Sequence, residues 1–304
     1  MERPGGADRP EPPPRPSGRD HPSHRLRPLA DEPVLEPYAR HLHRPDLPRL
    51  DGPGREAPDA ALRRFRPERI GLAPLTQSQA DDHVIRYAGA RPWLAIARYT
   101  SPEVRRILVA LDQGRGHALE RHEGAVTPAQ TEARVRLLCD PAIPGPERTP
   151  GVDAYKPPGK WHGCGDTATR ITDPDAFAVC VARAIEHPRV RAELDAPLDP
   201  SHPAGRIDIP LAEVLGADGY RYCDGHRLKA IGNDRQVAVE CRDAWVYALR
   251  NQQAPDVPEP RSVRLAPDDF RQAAVRLFLC PTRDRSGLEI ATMFVEPARP
   301  GGGR

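Results

Sequence analysis

At 304 residues the chain is long enough for two small domains or for one domain with a long appendage, and 38 prolines against 5 phenylalanines favour the appendage. Its net charge of +2 excludes bulk electrostatic attraction as the basis of any nucleic-acid binding. No apolar run approaches the ~18 to 20 residues needed to span a bilayer, and the opening MERPGGADRP lacks the apolar segment of a secretory signal, so no membrane role is expected and any export requires a dedicated machine.

Residues 1–60 are rich in Pro, Arg, Asp and Gly without a sustained period, a composition that cannot bury enough apolar surface to offset chain entropy, and they are expected to form a disordered arm. Residues 61–113 differ: SQADDHVIRYA and SPEVRRILVALDQ carry apolar residues at helical spacing, Ser101 caps the second, and a small helical preface or linker is expected. The chemistry concentrates next, in GRGHALERHEGAVTPAQTEARVRL. A first short helix carries His117, Arg121 and His122 and ends at Gly124. The second opens on Thr127 with Pro128 at its first position and Gln130 three residues after the cap, a capping box; Val135 and Leu138 face a core and Arg134 sits at the edge of the buried face. So short a link brings His122 and Arg134 to one cleft. An imidazole that accepts a proton near neutral pH beside a bidentate, permanently charged guanidinium suits phosphate chemistry.

Further along, Asp173 or Thr172 caps a helix from Pro174 whose stripe of Phe177, Val181, Ala184 and Ile185 belongs to a core. After Pro188 the pattern shifts towards strands: RIDIPL at 206–211, HRLKAI at 226–231, QVAVE at 236–240, AWVYAL at 244–249, then a hairpin at 274–297 turning through RDRSG. Regular alternation in its last strand sets Leu288, Ile290, Thr292 and Phe294 on one face and Glu289, Ala291, Met293 and Val295 on the other. Helices followed by strands indicate an α+β fold, helices packed on a twisted antiparallel sheet. Cys139, Cys164, Cys180, Cys223, Cys241 and Cys280 form no CxxC pair and are read mainly as buried small residues, with disulfides after export left open. His162, Cys164 and Asp166 lack a second ligand cluster at finger-like spacing, so no metal and no cofactor is expected.

The run GHALERHEG followed by Arg134 resembles the start of the bacterial RNase A-like toxin domain, found at the C-termini of contact-dependent inhibition proteins and other polymorphic toxins, which typically reads GHTLxRHVGKT and then a helix ending LxxRL. The resemblance continues through DTATRITDPDAFAVCVARAI at 166–185 and into the closing hairpin, whose last strand in the family resembles YVLTAYP; Thr292 falls on the family's active-site Thr and Phe294 on its Tyr. It implies an RNase A-like toxin domain over 114–297 with a flexible tail at 298–304. It also implies a metal-independent endoribonuclease with His122, Arg134 and Thr292 as catalytic residues and Phe294, His117 and Arg121 as substrate-binding residues. RNA, with tRNA as one candidate class, is the implied substrate, a cognate immunity protein the implied partner, and the cytoplasm of a target cell the implied place of action for a secreted or delivered effector.

Two departures bear on activity. Ala125 and Val126 replace the family's Lys, with Arg134 twelve residues after His122 instead of eleven, and Phe294 lacks the phenolic hydroxyl. The general acid is therefore unassigned among His117, Lys160, His162 and His226. Residues 115–297 carry 24 Lys+Arg against 27 Asp+Glu, a net of −3, so RNA must be held by a local cluster around Arg134, helped by Arg115, Arg121 or Lys160. Two other classes stay open: a catalytically degenerate domain that binds RNA or protein, and a secretion-associated module. His122 as a helix-end cation, Arg134 as one more solvated arginine and Thr292 as an ordinary strand former are the plain readings against which these stand.

Overall fold

The structure, a computed structural model, describes residues 117–298 apart from 123–125, 144–147, 158, 199–204, 283–284 and 286, together with Thr76, Ser78 and Gln79. The expected arm at 1–60, the tail from 299 and nearly all of the helical preface lie outside the described residues.

Helix α1 (Ala118–His122) is followed by α2 (Pro128–Leu137), which starts where the local chemistry dictates: the Thr127 hydroxyl accepts from the Gln130 amide while the Gln130 side chain accepts from the Thr127 amide. After a long loop come β1 (Thr167–Ile171), α3 (Pro174–Glu186), capped by the Asp173 carboxylate, and α4 (Pro188–Asp195). Then follow β2 (Gly205–Pro210), α5 (Leu211–Leu215), β3 (Cys223–Leu228), α6 (Arg235–Arg250), β4 (Ser262–Leu265), β5 (Ala274–Pro281) and β6 (Leu288–Glu296). The strands form two antiparallel three-stranded sheets, ordered β1-β3-β4 and β2-β5-β6, and the fold is α+β.

Each sheet buries one face against helices. Ile207 and Ile209, Val275, Leu277 and Leu279, and Ile290, Met293 and Val295 turn the inner face of β2-β5-β6 towards Phe177, Cys180 and Val181 of α3 and Leu211 and Val214 of α5. A smaller cluster of Val135, Ala168, Leu228 and Ala238 joins α2 and α6 to the other sheet. Between β1 and β3 the backbones run so close that a Cβ on Gly225 would lie 2.3 Å from the Ala168 carbonyl oxygen, so only glycine fits opposite Thr169. The sheets meet where β1 reaches β6, the Thr169 hydroxyl donating to the Val295 carbonyl at 2.5 Å.

Three sequence expectations are corrected. QVAVE and AWVYAL are not strands but parts of α6, whose buried Ala238, Arg242 and Val246 repeat every four residues. Arg242 interrupts the apolar stripe and makes it read as two short runs; its guanidinium is buried on the carbonyls of Gly165 and Cys164. HRLKAI lies three residues too late, since β3 is Cys223–Leu228 and its polar Asp224 and His226 are buried on Arg170 and Thr131, which hides the alternation. Finally, β6 does not alternate regularly. Thr292 pairs with Phe278 but Ile290 with Leu279, so Ala291 is an extra residue in a bulge. Leu288 and Ile290 therefore join Met293 and Val295 in the core, and Thr292 and Phe294 share the outer face with Glu289.

Candidate active site at the junction of the two sheets

Helices α1 and α2 lay their polar side chains over the junction. His122, last residue of α1, donates from Nδ1 to the Thr169 carbonyl at 3.0 Å, a partner that can only accept and so fixes the proton on that nitrogen. Its Nε2 is thereby left as an acceptor, and Arg134 Nη1 lies 3.3 Å away. Phe294 stacks on the imidazole, ring centres 5.0 Å apart and planes 21° apart. Burial first, then the Arg134 charge, holds the His122 pKa well below 6.5, so the ring is neutral at physiological pH.

Arg134 reaches three groups from α2: Nε donates to His162 Nε2 at 3.1 Å, and Nη1 faces His122 and the Arg121 carbonyl at 3.4 Å. His162 donates from Nδ1 to Asp153 at 3.0 Å, which sets its tautomer in the same way. The Val152–Trp161 bridge and the bond from the His162 amide to the Gly151 carbonyl hold this loop in place.

Beneath these groups lies an ion-pair cluster. Arg121 donates from Nε and Nη2 to the two oxygens of Asp140, at 2.9 and 2.5 Å, and its Nη2 is 3.2 Å from Asp153. Burial pushes the Asp140 carboxyl up, but the Arg121 charge and hydrogen bonds outweigh it and hold the group at about 2. For Asp153 the burial penalty is likewise outweighed, by the His162 hydrogen bond and the Arg121 charge, and its pKa also lies well below the ordinary value. Asp140, Asp153 and His162 bring their ligand atoms within 4.8 Å of one another, the geometry of a metal site. Arg121 contacts both carboxylates, Lys156 lies 3.8 Å from Asp153, and the Arg134 charge acts on the same pair, so cations of the chain itself account for this cluster.

Of the residues singled out from sequence, His122, Arg134 and Phe294 come together in direct contact. Thr292 stands two residues from Phe294 on the same face of β6, buried, its hydroxyl without a hydrogen-bond partner among the described residues. His117 is partly exposed, its ring 5.8 Å from that of Tyr155, and near enough for its charge to act on His122. Burial, then Arg121 and Arg134, lowers its pKa well below 6.5. Arg121 is turned inwards onto its carboxylates, with its guanidinium also 4.9 Å from the Tyr155 ring centre. His226 lies elsewhere, its Nδ1 2.9 Å from the Thr131 hydroxyl, and Lys160 is exposed on a loop. Sequence reasoning missed Asp140 and Asp153, which sit in an aperiodic loop; their only signal was a pair of acids beside a histidine in a Pro- and Gly-rich stretch.

The six cysteines are free thiols, and no helix among the described residues is long and apolar enough to cross a membrane. In comparison with known proteins the chain matches no family model, no curated protein and no solved structure.

Proposed function

We propose that this junction is the active site of a metal-independent ribonuclease of the RNase A-like toxin type. The buried charge of Arg134 carries this reading: its partners are two imidazole nitrogens and a carbonyl, and among the described residues no carboxylate lies within ion-pair distance of it. A desolvated guanidinium with no carboxylate in direct contact, its charge offset only at a distance by Asp140 and Asp153, and flanked by a neutral histidine and an unpartnered hydroxyl, suits an anionic ligand such as a phosphodiester. Two antiparallel sheets meeting under a pair of short helices accord with the RNase A-like arrangement that the motifs resemble.

In this mechanism the phosphate draws Arg134 Nη1 from His122, freeing Nε2 to take the proton of the ribose 2′-hydroxyl. The 2′-oxygen attacks phosphorus, the bond to the 5′-oxygen breaks, and the products are a 2′,3′-cyclic phosphate and a 5′-hydroxyl. Arg134 stabilises the charge that builds on the phosphorane, and Thr292 hydrogen-bonds a phosphate oxygen or a base edge. His117, partly exposed at the same cleft, is assigned to return a proton to the leaving oxygen; its depressed pKa makes it a sparse proton donor at neutral pH, so slow turnover is expected.

A second reading, a domain that binds RNA or protein without cutting, is favoured by the missing phenol at Phe294. Digestion of total RNA in EDTA separates the two. Wild type should yield fragments with cyclic-phosphate ends and His122→Ala none, whereas a folded wild type that is inert at low salt leaves only the binding reading. By the same resemblance the protein is delivered into a target-cell cytoplasm and held in check by a cognate immunity protein. Deletion of residues 1–113 should then abolish export while ribonuclease activity persists.

A further inference from the structure

Beside Thr292, the outer face of β2-β5-β6 holds residues that the cleavage chemistry does not use. In register, Arg206 on β2 stands opposite Phe278 on β5, and Phe278 opposite Thr292 on β6. Guanidinium, ring and hydroxyl thus form a row across three strands, its ends two interstrand spacings apart, about 10 Å. The row joins the cleft: Phe278 stacks on Phe294 with centres 6.0 Å apart, and Phe294 stacks on His122.

Packing does not require a phenyl ring at this position. Leu277 and Leu279 on either side are buried in the core, whereas Phe278 points away from it and is 37 % exposed. The Thr292 hydroxyl at the inner end is buried without a partner, an unmade hydrogen bond that a ligand's polar edge would complete. At the outer end Arg189, Arg206 and Arg276 gather around Asp208, with Arg276 also 3.5 Å from Glu296. At this end three cations stand against two carboxylates, with Arg189 on the Asp208 backbone carbonyl and Glu289 further along the same outer face, although residues 115–297 as a whole are acidic.

Building on the ribonuclease reading, we propose that this row is a nucleotide subsite beside the scissile bond. An unpaired base stacks on Phe278, Thr292 hydrogen-bonds its polar edge, and Arg206 takes the flanking phosphate. Aromatic side chains on an open sheet face bind single-stranded nucleic acid in this way, because every base offers a π-face. The substrate at this cleft is accordingly single-stranded RNA or an unpaired loop, since a base within a duplex cannot reach a ring on the sheet.

The test uses the full chain and a fluorescein-labelled single-stranded DNA of about eight nucleotides, a length within the usual site size, which lacks the 2′-hydroxyl and cannot be cut. Affinity should follow Trp ≥ Phe > Leu > Ala at position 278, with Phe278→Ala weaker by roughly 5- to 100-fold. Arg206→Ala should reduce the slope of log affinity against log salt by about 0.7, the share of one single-strand phosphate. Melting curves by circular dichroism check that each variant is folded. If Phe278→Leu binds as tightly as wild type and Phe278→Trp no tighter, or if the DNA does not bind at low salt, the subsite is overturned. RNA cleavage with a flat series at position 278 would refute the subsite alone. An ordered series without RNA cleavage would refute the ribonuclease alone.

Discussion

Arg170 and Arg134 are both more than nine-tenths buried, and both act around strand β1, yet their surroundings differ in kind. Arg170 is saturated: Nε and Nη2 grip the two oxygens of Asp224 at 2.6 and 2.9 Å, and Nη1 donates to the Val126 carbonyl. Arg134 meets neutral acceptors only. The first guanidinium is neutralised within the fold and ties β1, β3 and the start of α2 together. The second has no carboxylate in contact among the described residues and is offset only at a distance, by the charges of Asp140 and Asp153, so on the proposed reading it is the guanidinium left open to a ligand.

The largest expected effect comes from breaking the compensated pair. Arg170→Ala leaves the Val126 carbonyl unpaired and the buried Asp224 carboxylate with only the exposed Arg264, 3.9 Å away, a change that costs about 3 kcal/mol. Urea unfolding should show a midpoint lowered accordingly, with any RNA cleavage lost together with the fold. An unchanged midpoint would mean that Asp224 is not held by this pair.

Arg134→Met should separate stability from function. Two imidazole nitrogens lose a donor, but a buried charge with no carboxylate in contact is also removed, so the net change in stability should stay within about 2 kcal/mol. Cleavage should fall by roughly 100- to 1000-fold, as for loss of one well-aimed transition-state donor. A variant that unfolds while wild-type-like turnover survives in its folded fraction would reverse the comparison and make Arg134 the structural arginine.

How much of this contrast was legible beforehand depends on the range of the interactions. Thr127, Pro128 and Gln130 fix the start of α2 through bonds made within four residues, and Asp173 does the same for α3. His122 and Arg134, on successive short helices, therefore reach one cleft by local rules. The partners that distinguish the arginines come from far along the chain: Asp224 is 54 residues from Arg170, and His162 is 28 from Arg134. Neither separation leaves a periodic trace. Arg242 shows the same limit in reverse, because a guanidinium satisfied by the remote carbonyls of Gly165 and Cys164 occupies a core position of α6 and erased its helical stripe. The bulge at Ala291 depends on pairing with β5, so the face of Thr292 could not be read from β6 alone.

Protonation sharpens the comparison with smaller effects. His122, His117 and His162 all have pKa values lowered, first by burial, from 6.5. Below that pH the unfolded chain takes up protons that the folded one refuses, so stability is full above 6.5 and declines as the pH falls. Asp140, held at about 2, contributes stability above its ordinary 3.8 that is lost as the pH falls through 2. Denaturant midpoints should therefore decline in two stages, histidines first and carboxylates last. The acid limb of RNA cleavage, reporting His122 as base, should lie below pH 6.5. Proton titration by NMR should place the His122 transition higher in Arg134→Met than in wild type, because the guanidinium is the second cause of the depression. Coincident transitions in the two proteins would show that the charge of Arg134 does not reach this imidazole.

Thr292→Val gives the smallest effect on the fold and tests the ligand side of the contrast most directly. The hydroxyl is buried and has no hydrogen-bond partner, so replacing it with a methyl group of similar size removes an unsatisfied polar atom and should leave stability unchanged or raise it by up to about 1 kcal/mol. If Thr292 completes its hydrogen bond only with substrate, the same change should lower kcat/KM on RNA by about tenfold, the equivalent of one hydrogen bond of roughly 1.4 kcal/mol. A wild-type rate with a higher melting temperature would make Thr292 a strand residue with an idle hydroxyl, and the cleft would then act on phosphate through His122 and Arg134 alone. A lowered rate at undiminished stability would place Thr292 with Arg134, among groups whose polar capacity the folded chain leaves open.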